Sequence, residues 1–230
     1  MIIQQPQVLV PESELSGGIF RKLERYARTC YKSEDMMNEE ANPNFLKSKL
    51  TLGHESIIEH EKATVMFIID RGISHEIVRH RIAAYSQEST RYCRYSKDKF
   101  GNEITLIEPY FFKGREQDYQ LWQEACLLAE KNYMLMLDNG CSPQEARSIL
   151  PNSLKTEIVV TYNLREWRHF FRLRCDIASH PQMRQAAIPL LLYFQEKMPA
   201  LFDDIPFDHH FPAENYAEII LTDDIFNPLA

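Results

Sequence analysis

Residues 62–70 read Lys-Ala-Thr-Val-Met-Phe-Ile-Ile-Asp, a nearly continuous apolar run with β-branched side chains. Such a run, without polar alternation, is typical of a strand that is covered on both faces. A turn at residues 70–72 leads into residues 73–82, whose apolar spacing predicts a helix that delivers Arg79, His80 and Arg81 at its C-terminal end. Residues 85–96 show neither periodicity, so we expect a long functional loop there.

Further along the chain, helices and strands continue to be separated by clear boundary signals. The longest predicted helix spans residues 115–139, and residues 104–107 and 155–162 predict further strands. Asn163 can cap the next helix, in which Trp167, Phe171 and Arg174 share one apolar sector. A guanidinium on a buried face is very costly when unpaired, so we predict an anionic or strongly accepting partner for Arg174. The elements lack regular β-α-β alternation, which indicates the α+β class.

Composition limits the classes of function. The 230 residues fit one large domain, and a formal net charge of −7 argues against broad nucleic-acid coating. The seven glycines form no dinucleotide-binding or P-loop fingerprint. The N-terminus lacks signal-peptide character, no apolar run approaches a membrane span, and the cysteines form no paired motif. We therefore expect a soluble, cytoplasmic protein.

Two basic islands stand out on this acidic chain. Residues 71–99 carry seven lysines and arginines against three carboxylates, and residues 165–184 carry five against two. The planar guanidinium of arginine binds phosphate through two hydrogen bonds and stays charged, so the two islands favour discrete phosphate-bearing ligands. A solvated charged face is the alternative interpretation that composition alone leaves open.

Two motifs suggest other chemistry but lack its remaining parts. His54 and His60 stand six residues apart with carboxylates between them, which is not the i, i+4 pair of a zinc protease, and no third ligand is evident. We predict no metal site. Ser89 follows His80 in the chain, but no third orienting group is apparent, so we do not expect a serine nucleophile.

Five motifs in register resemble the flavin-dependent thymidylate synthase family. Arg79-His80-Arg81, seven residues and then Ser89 resemble its R-H-R-x7-S signature, and residues 53–60 resemble its G-H-E-[ST]-x-x-E-H segment. Three further matches are Gln87–Tyr92 with the substrate loop, Ala146-Arg147 with Leu150-Pro151, and Asn163-Leu164-Arg165 with Leu173-Arg174. Together they cover most of residues 53–175. Glu76 departs from relatives that carry glutamine, and it would either pair with Arg79 or repel phosphate.

The resemblance implies an enzyme that methylates dUMP to dTMP. Methylenetetrahydrofolate would donate the carbon, and FAD reduced by NADPH would donate the hydride. It also implies a homotetramer with active sites at subunit interfaces. None of the cysteines lies in the P-C-H context of the classical thymidylate synthases, which agrees with a flavin-based reaction.

The resemblance further implies which residues form the site. Arg174 would be catalytic, favouring the ionised uracil, and His54 would lie near the flavin and the folate. The implied dUMP contacts are Glu76, Ile77, Val78, Arg79, Gln87, Glu88, Ser89, Thr90, Arg91, Arg147 and Arg174. The implied FAD contacts are Ser56, Arg79, His80, Arg81, Gln87, Asn163, Leu164, Arg165 and His169.

Taken together, these features predict a single domain over residues 1–230. We expect a twisted, mainly antiparallel sheet flanked by long helices, with a helical subdomain. The alternative from another class is a non-enzymatic nucleotide- or RNA-binding protein that uses the basic residues 79–99.

Overall fold

The computed structural model describes residues 1–15, 18–96 and 101–224, so the end of the first basic island, including Lys97 and Lys99, lies outside the described residues. Its main sheet has five strands, which are β2 (Gln7–Val10), β3 (Lys62–Asp70), β4 (Ala83–Gln87), β6 (Lys155–Asn163) and β7 (Glu218–Leu221). They lie in the order β4-β6-β3-β2-β7, antiparallel except for the β2–β7 pair. A separate parallel pair joins β1 (Ile2–Gln4) to β5 (Thr105–Ile107).

The predicted strand over residues 62–70 is confirmed and lies at the centre of the main sheet. All nine residues of β3 pair with β6, from Lys62 opposite Asn163 to Asp70 opposite Lys155. Six consecutive residues of β3 are buried because its two faces contact different groups of apolar side chains.

The helices are α1 (Gly18–Tyr31), α2 (Pro43–Thr51), α3 (Arg71–Ile77), α4 (Glu116–Asp138), α5 (Pro143–Ala146), α6 (Leu164–Arg174), α7 (Pro181–Lys197) and α8 (Pro199–Phe202).

The main core lies between one face of the sheet and α6 and α7. Trp167, Phe171, Phe194 and Phe202 are fully buried there, and their rings meet at centroid distances of 5.1 to 5.9 Å. Burying aromatic side chains removes a large apolar area from water, so this cluster contributes strongly to stability. It also fixes α6 against the sheet, and α6 carries Arg174 at its C-terminal end.

A second core forms around the long helix α4. Tyr133, Cys126 and Leu137 of this helix pack with Leu106 of β5 and with Tyr95. Together with the main sheet and its helices, this gives the predicted α+β arrangement, with a mostly antiparallel sheet and a separate helical part. No helix among the described residues is both long and apolar enough to cross a lipid bilayer.

Two local predictions are wrong. The helix predicted over residues 73–82 ends at Ile77, and the next residues form a turn before β4. Residues 83–87 pair with β6, although residues 85–96 were expected to form a loop. Pairing with a distant strand supplies hydrogen bonds that local periodicity does not indicate.

Candidate active site

The turn at residues 78–82 places one histidine inside the protein and two arginines outside. His80 is 4% exposed, whereas Arg79 and Arg81 are exposed to solvent. The backbone N–H of Arg79 donates to the carbonyl of Glu76, and that of His80 donates to the carbonyl of Ile77, so the turn continues the end of α3. The R-H-R motif therefore divides between a buried group and two surface cations.

The buried side of this turn meets the end of α6. His80 Nδ1 lies 2.8 Å from Glu166 Oε1, and Arg174 Nε donates to His80 Nε2 at 3.2 Å. Arg174 also donates from Nη1 to Glu76 Oε2 at 2.8 Å and from Nη2 to the Glu76 carbonyl at 2.9 Å. The predicted accepting partner of Arg174 thus exists, and Glu76 pairs with Arg174 where the sequence suggested Arg79.

The position of Arg174 differs from the expectation in one respect. Its side chain is 15% exposed, whereas the fully buried guanidinium of α6 belongs to Arg168, at 1%. Arg168 donates to both carboxylate oxygens of Asp204, at 2.7 and 2.6 Å, and to the carbonyl of Leu201. The segment around α8 covers that face of α6 and satisfies Arg168, which leaves the C-terminal turn with Arg174 closer to solvent.

His80 has one protonation state that satisfies both contacts. An arginine Nε–H can only donate, so Nε2 of His80 must accept, and Nδ1 must carry the ring proton and donate a hydrogen bond to Glu166. Burial lowers the pKa of His80, the positive charge of Arg174 lowers it further, and Glu166 acts in the opposite direction. The ring is therefore neutral at neutral pH.

The substrate loop predicted from the sequence begins in β4 and is held by a polar network. Gln87 Nε2 donates to Ser74 Oγ at 2.9 Å and to Thr156 Oγ1 at 3.2 Å. Arg71 Nη1 donates to the carbonyl of Glu88 at 3.3 Å. Arg71, Ser74 and Thr156 carry no sequence motif. Ser74 of α3 and Thr156 of β6 are fully buried, and polar residues within apolar segments are the signal that would have indicated these two.

Three residues after Gln87, the loop meets the A-R-x-x-L-P segment. Arg147 Nη1 donates to Thr90 Oγ1 at 3.2 Å, so two motifs 57 residues apart in sequence are neighbours. Ser89 Oγ accepts from the backbone N–H of Arg91 at 3.3 Å. No histidine hydrogen-bonds Ser89 among the described residues, which gives no support to a serine nucleophile.

A cavity of about 440 Å³ opens beside the buried histidine. Asn163, Arg165, Glu166 and His169 of the β6–α6 junction line it, and Ile82 closes one side. The His169 ring lies 5.3 Å from the His80 ring, between centroids, so the cavity adjoins the Arg174 cluster. Asn163 caps α6 as predicted, since its Oδ1 accepts from the N–H of Glu166 at 2.8 Å. The other lining residues are Glu55, Glu59 and Arg172.

Charges in this cavity are partly paired. Arg165 forms an ion pair with Glu59, and Arg172 Nη1 lies 3.1 Å from Glu55 Oε1. Ligand atoms of His80, Glu166 and His169 lie within 4.8 Å of one another, a spacing that a metal ion could bridge. Both His80 nitrogens, however, are engaged, Nδ1 by Glu166 and Nε2 by Arg174, so metal binding through either one would break a hydrogen bond.

The G-H-E-S segment lies at the edge of this region. His54 is exposed, and its Nδ1 lies 2.8 Å from the hydroxyl of Tyr31, with the two rings stacked. Ser56 is exposed and lines a smaller cavity of about 350 Å³ with Tyr26, Cys30 and His60. The structure thus forms two groups of predicted site residues. The substrate loop contacts Arg147, and His80 contacts Glu166 and Arg174 of α6. His54 and Ser56 lie on the neighbouring surface.

Comparison with known proteins gives a consistent result. Residues 17–200 match the Thy1 family, described as thymidylate synthase complementing protein. A flavin-dependent thymidylate synthase of Geobacter sulfurreducens is 35% identical over 185 residues, covering 77% of this chain and 78% of the relative. One from Pyrococcus abyssi is 38% identical over 162 residues, covering 69% and 65%.

The solved structures agree with the fold. The UMP/dUMP methylase PolB from Streptomyces cacaoi, bound with 5-Br dUMP, matches with a TM-score of 0.72 at 20% identity, over 88% of this chain and 96% of that one. At this identity the likeness concerns the fold. The family match over residues 17–200 and the relatives of 35% and 38% identity show the family as well. The chain belongs to the Thy1 family of flavin-dependent thymidylate synthases.

Proposed function

We propose that this protein is a flavin-dependent thymidylate synthase that converts dUMP to dTMP, with methylenetetrahydrofolate as the one-carbon donor. The observation that carries the proposal is the guanidinium of Arg174, which is fixed by three hydrogen bonds while its side chain remains 15% exposed. A guanidinium has five N–H groups, so two remain to donate to a substrate. A donor fixed before the reaction can stabilise a developing uracil anion without reorganisation.

Four exposed arginine side chains without carboxylate partners among the described residues support the binding of phosphate-bearing ligands. Arg79, Arg81, Arg91 and Arg147 are exposed, and none belongs to an ion pair in the described parts of the chain. All four lie in motifs of the family resemblance. Exposed arginines without carboxylate partners can form charge-assisted, bidentate bonds to phosphate.

The proposed dUMP site follows the substrate loop and the adjoining turn. Arg91 and Arg147 would hold the phosphate, and Arg174 would face the base. Thr90 already contacts Arg147, so the loop and this arginine can close on one ligand. The full proposed set is Glu76, Ile77, Val78, Arg79, Gln87, Glu88, Ser89, Thr90, Arg91, Arg147 and Arg174.

The cavity beside His169 suits FAD in its chemistry. Its apolar wall at Ile82 can contact a ring system, and Arg165 with the nearby Arg79 and Arg81 can face a diphosphate. FAD, when bound and reduced by NADPH, supplies the hydride of the reaction. The residues proposed to hold it are Ser56, Arg79, His80, Arg81, Gln87, Asn163, Leu164, Arg165 and His169, with His54 near the flavin and the folate.

Exposed apolar side chains support assembly of several copies. Leu121, Leu128 and Leu135 recur every seven residues on the outer face of α4 and are 65%, 58% and 48% exposed. Ile82, at the candidate cavity, is 67% exposed. Apolar stripes on long helices commonly pack against another helix. We therefore propose a homotetramer with active sites at subunit interfaces, located in the cytoplasm with its soluble substrates.

The RNA-binding alternative has less support. The named relatives are enzymes of the matched family, and Arg79, Arg81 and Arg91 of the 79–99 segment belong to the motifs of the family resemblance. A steep salt dependence of RNA affinity in a protein without bound flavin would be required to revive it.

The decisive experiment combines a spectrum with an assay. The purified protein should show flavin absorbance that bleaches with NADPH, and it should form dTMP from dUMP and methylenetetrahydrofolate. Release of tritium from dUMP labelled at C5 gives an independent readout. A protein that neither binds added FAD nor releases tritium would refute the proposal.

A further inference from the structure

His80 links two groups that belong to different ends of α6. Glu166 lies in the first turn of the helix and Arg174 at its last residue, and both contact the same ring. Glu166 is 7% exposed and His80 is 4% exposed, so water does not compete strongly for these hydrogen bonds. A buried hydrogen bond with charged partners restricts side-chain orientation more than an exposed one does.

The groups that face the His80 ring define its protonation. From α6 these are Glu166, His169 and Arg174, and the ring of Phe170 packs edge-on at 5.2 Å between centroids. From β6 and β4 the neighbours are the neutral hydroxyl-bearing side chains of Tyr162 and Tyr85, and from α3 Glu76 reaches the ring only through Arg174.

We infer that Glu166 and His80 are a positioning pair for Arg174. Glu166 accepts a hydrogen bond from the Nδ1–H of His80, which keeps Nε2 unprotonated and directed at the Nε–H of Arg174. The guanidinium then keeps its two remaining N–H groups in one orientation. This inference rests on the proposed role of Arg174 toward the uracil ring, and it gives Glu166 a function that lies outside the family's sequence motifs.

The contact geometry separates this role from proton transfer. Nε2 of His80 is directed at Arg174, which has no proton to exchange near neutral pH, so His80 acts through the arginine and does not serve as a general base. Glu76 fixes the opposite side of the same guanidinium. Arg174 is consequently held by α3 through Glu76 and by the turn after α3 through His80, which Glu166 contacts from the first turn of α6.

The Glu166–His80 pair predicts that kcat falls at low pH, and the pH at which it falls is called the acid limit here. Below the pKa of His80 the ring becomes a cation, Nε2 becomes a donor, and the hydrogen bond from Arg174 is lost. Because burial and Arg174 lower that pKa, the competent neutral form persists to pH values below the ordinary histidine range. Glu166 raises the pKa of His80, so removing its charge must move the acid limit to lower pH.

The test compares kcat against pH for the wild type and Glu166→Gln, each loaded with FAD. We expect kcat of the variant to fall about tenfold at the optimum, as for other orienting partners, with little change in the KM for dUMP. Its acid limb should also move to lower pH. Glu59→Gln is the matched control, because Glu59 lines the same cavity without contacting His80, and its acid limb should stay in place. An unmoved limb, or one displaced upward, in Glu166→Gln overturns the inference.

A second readout does not depend on turnover. The ¹⁵N shifts of histidine-labelled protein, with the His80 signal identified by its loss in His80→Gln, should show the Nδ1-protonated tautomer in the wild type. The His80 signal in Glu166→Gln should titrate at lower pH. An Nε2-protonated ring in the wild type would refute the positioning role. Because the ring signal is read without substrates, it decides the inference even in a protein that makes no dTMP.

Discussion

Arg174 donates hydrogen bonds to both the carboxylate and the backbone carbonyl of Glu76, at 2.8 and 2.9 Å, across 98 residues of sequence. The two contacts fix the guanidinium plane relative to the end of α3. The carboxylate also balances its charge, so Arg174 stays in place before any nucleotide arrives. The site therefore has an arginine whose orientation is set by the protein alone.

Arg174→Ala is expected to lower kcat by at least about 100-fold, the usual effect of removing a fixed donor from developing charge. The flavin content should stay near that of the wild type, because Arg174 is not itself among the proposed FAD contacts. Single-turnover dTMP formation and the flavin-to-protein ratio provide the measurement. Arg174→Lys keeps the charge but loses the fork, so it should recover only part of the rate. Unchanged turnover in the alanine variant would remove Arg174 from the catalytic role.

Arg147→Ala should weaken dUMP binding by about 10- to 100-fold, the value of one or two charge-assisted hydrogen bonds. Arg147 is exposed, and within residues 1–15, 18–96 and 101–224 its side chain has only the neutral Thr90 hydroxyl as a hydrogen-bond partner, so its loss should not harm the fold. Isothermal titration of the FAD-loaded protein with dUMP measures the effect. Arg115→Ala is the control, because Arg115 is an exposed arginine already paired with Asp118. Equal affinities in the two variants would contradict the assignment.

Ser89→Ala should retain measurable activity. The hydroxyl accepts one hydrogen bond from the Arg91 backbone, and its loss should reduce dUMP affinity by about tenfold at most. The steady-state rate at saturating dUMP and mass spectrometry of the quenched enzyme together test this. Complete loss of turnover with intact dUMP binding, or a nucleotide covalently bound to Ser89 in the wild type, would restore the nucleophile interpretation.

Arg168→Ala should destabilise the protein by about 3 kcal/mol, because it leaves a cavity and removes the partner of Asp204. Arg172→Ala is the matched control: Arg172 contacts the same carboxylates but is 41% exposed, and its loss should cost less than about 1 kcal/mol. Urea denaturation of both variants gives the comparison. Equal losses of stability would show that the burial of Arg168 does not determine its contribution.

The parts of the fold that the sequence predicts well are those in which local and long-range preferences agree. Residues 62–70 are apolar enough that only a covered strand satisfies them, and the boundaries of β3 follow. Asn163 caps α6 because its side chain reaches a backbone N–H three residues away, which is a local matter. By contrast, β4 exists because β6 offers it a partner. No property of residues 83–87 alone determines that pairing.

The candidate site shows the same division. The need of Arg174 for an acceptor follows from its type and its helix face, but its partners Glu76 and His80 are brought to it by the end of α3 and the turn that follows. A carboxylate in the first turn of a helix is favoured by the helix dipole, so Glu166 needs no further explanation in the sequence. Its contact with His80 is therefore not predicted. The burial of Arg168 depends on α8, which no pattern within α6 reveals.

The pairing of β2 with β7 also has a consequence for synthesis of the protein. Gln7 and Glu218 face each other across the sheet although 211 residues separate them. During translation, β2 therefore keeps an open edge until nearly the whole described chain has left the ribosome. Such long-range closure slows folding and leaves backbone groups open to association with other chains. Fusions or truncations near residue 221 should consequently affect the yield of folded protein far more than their distance from Arg174 suggests.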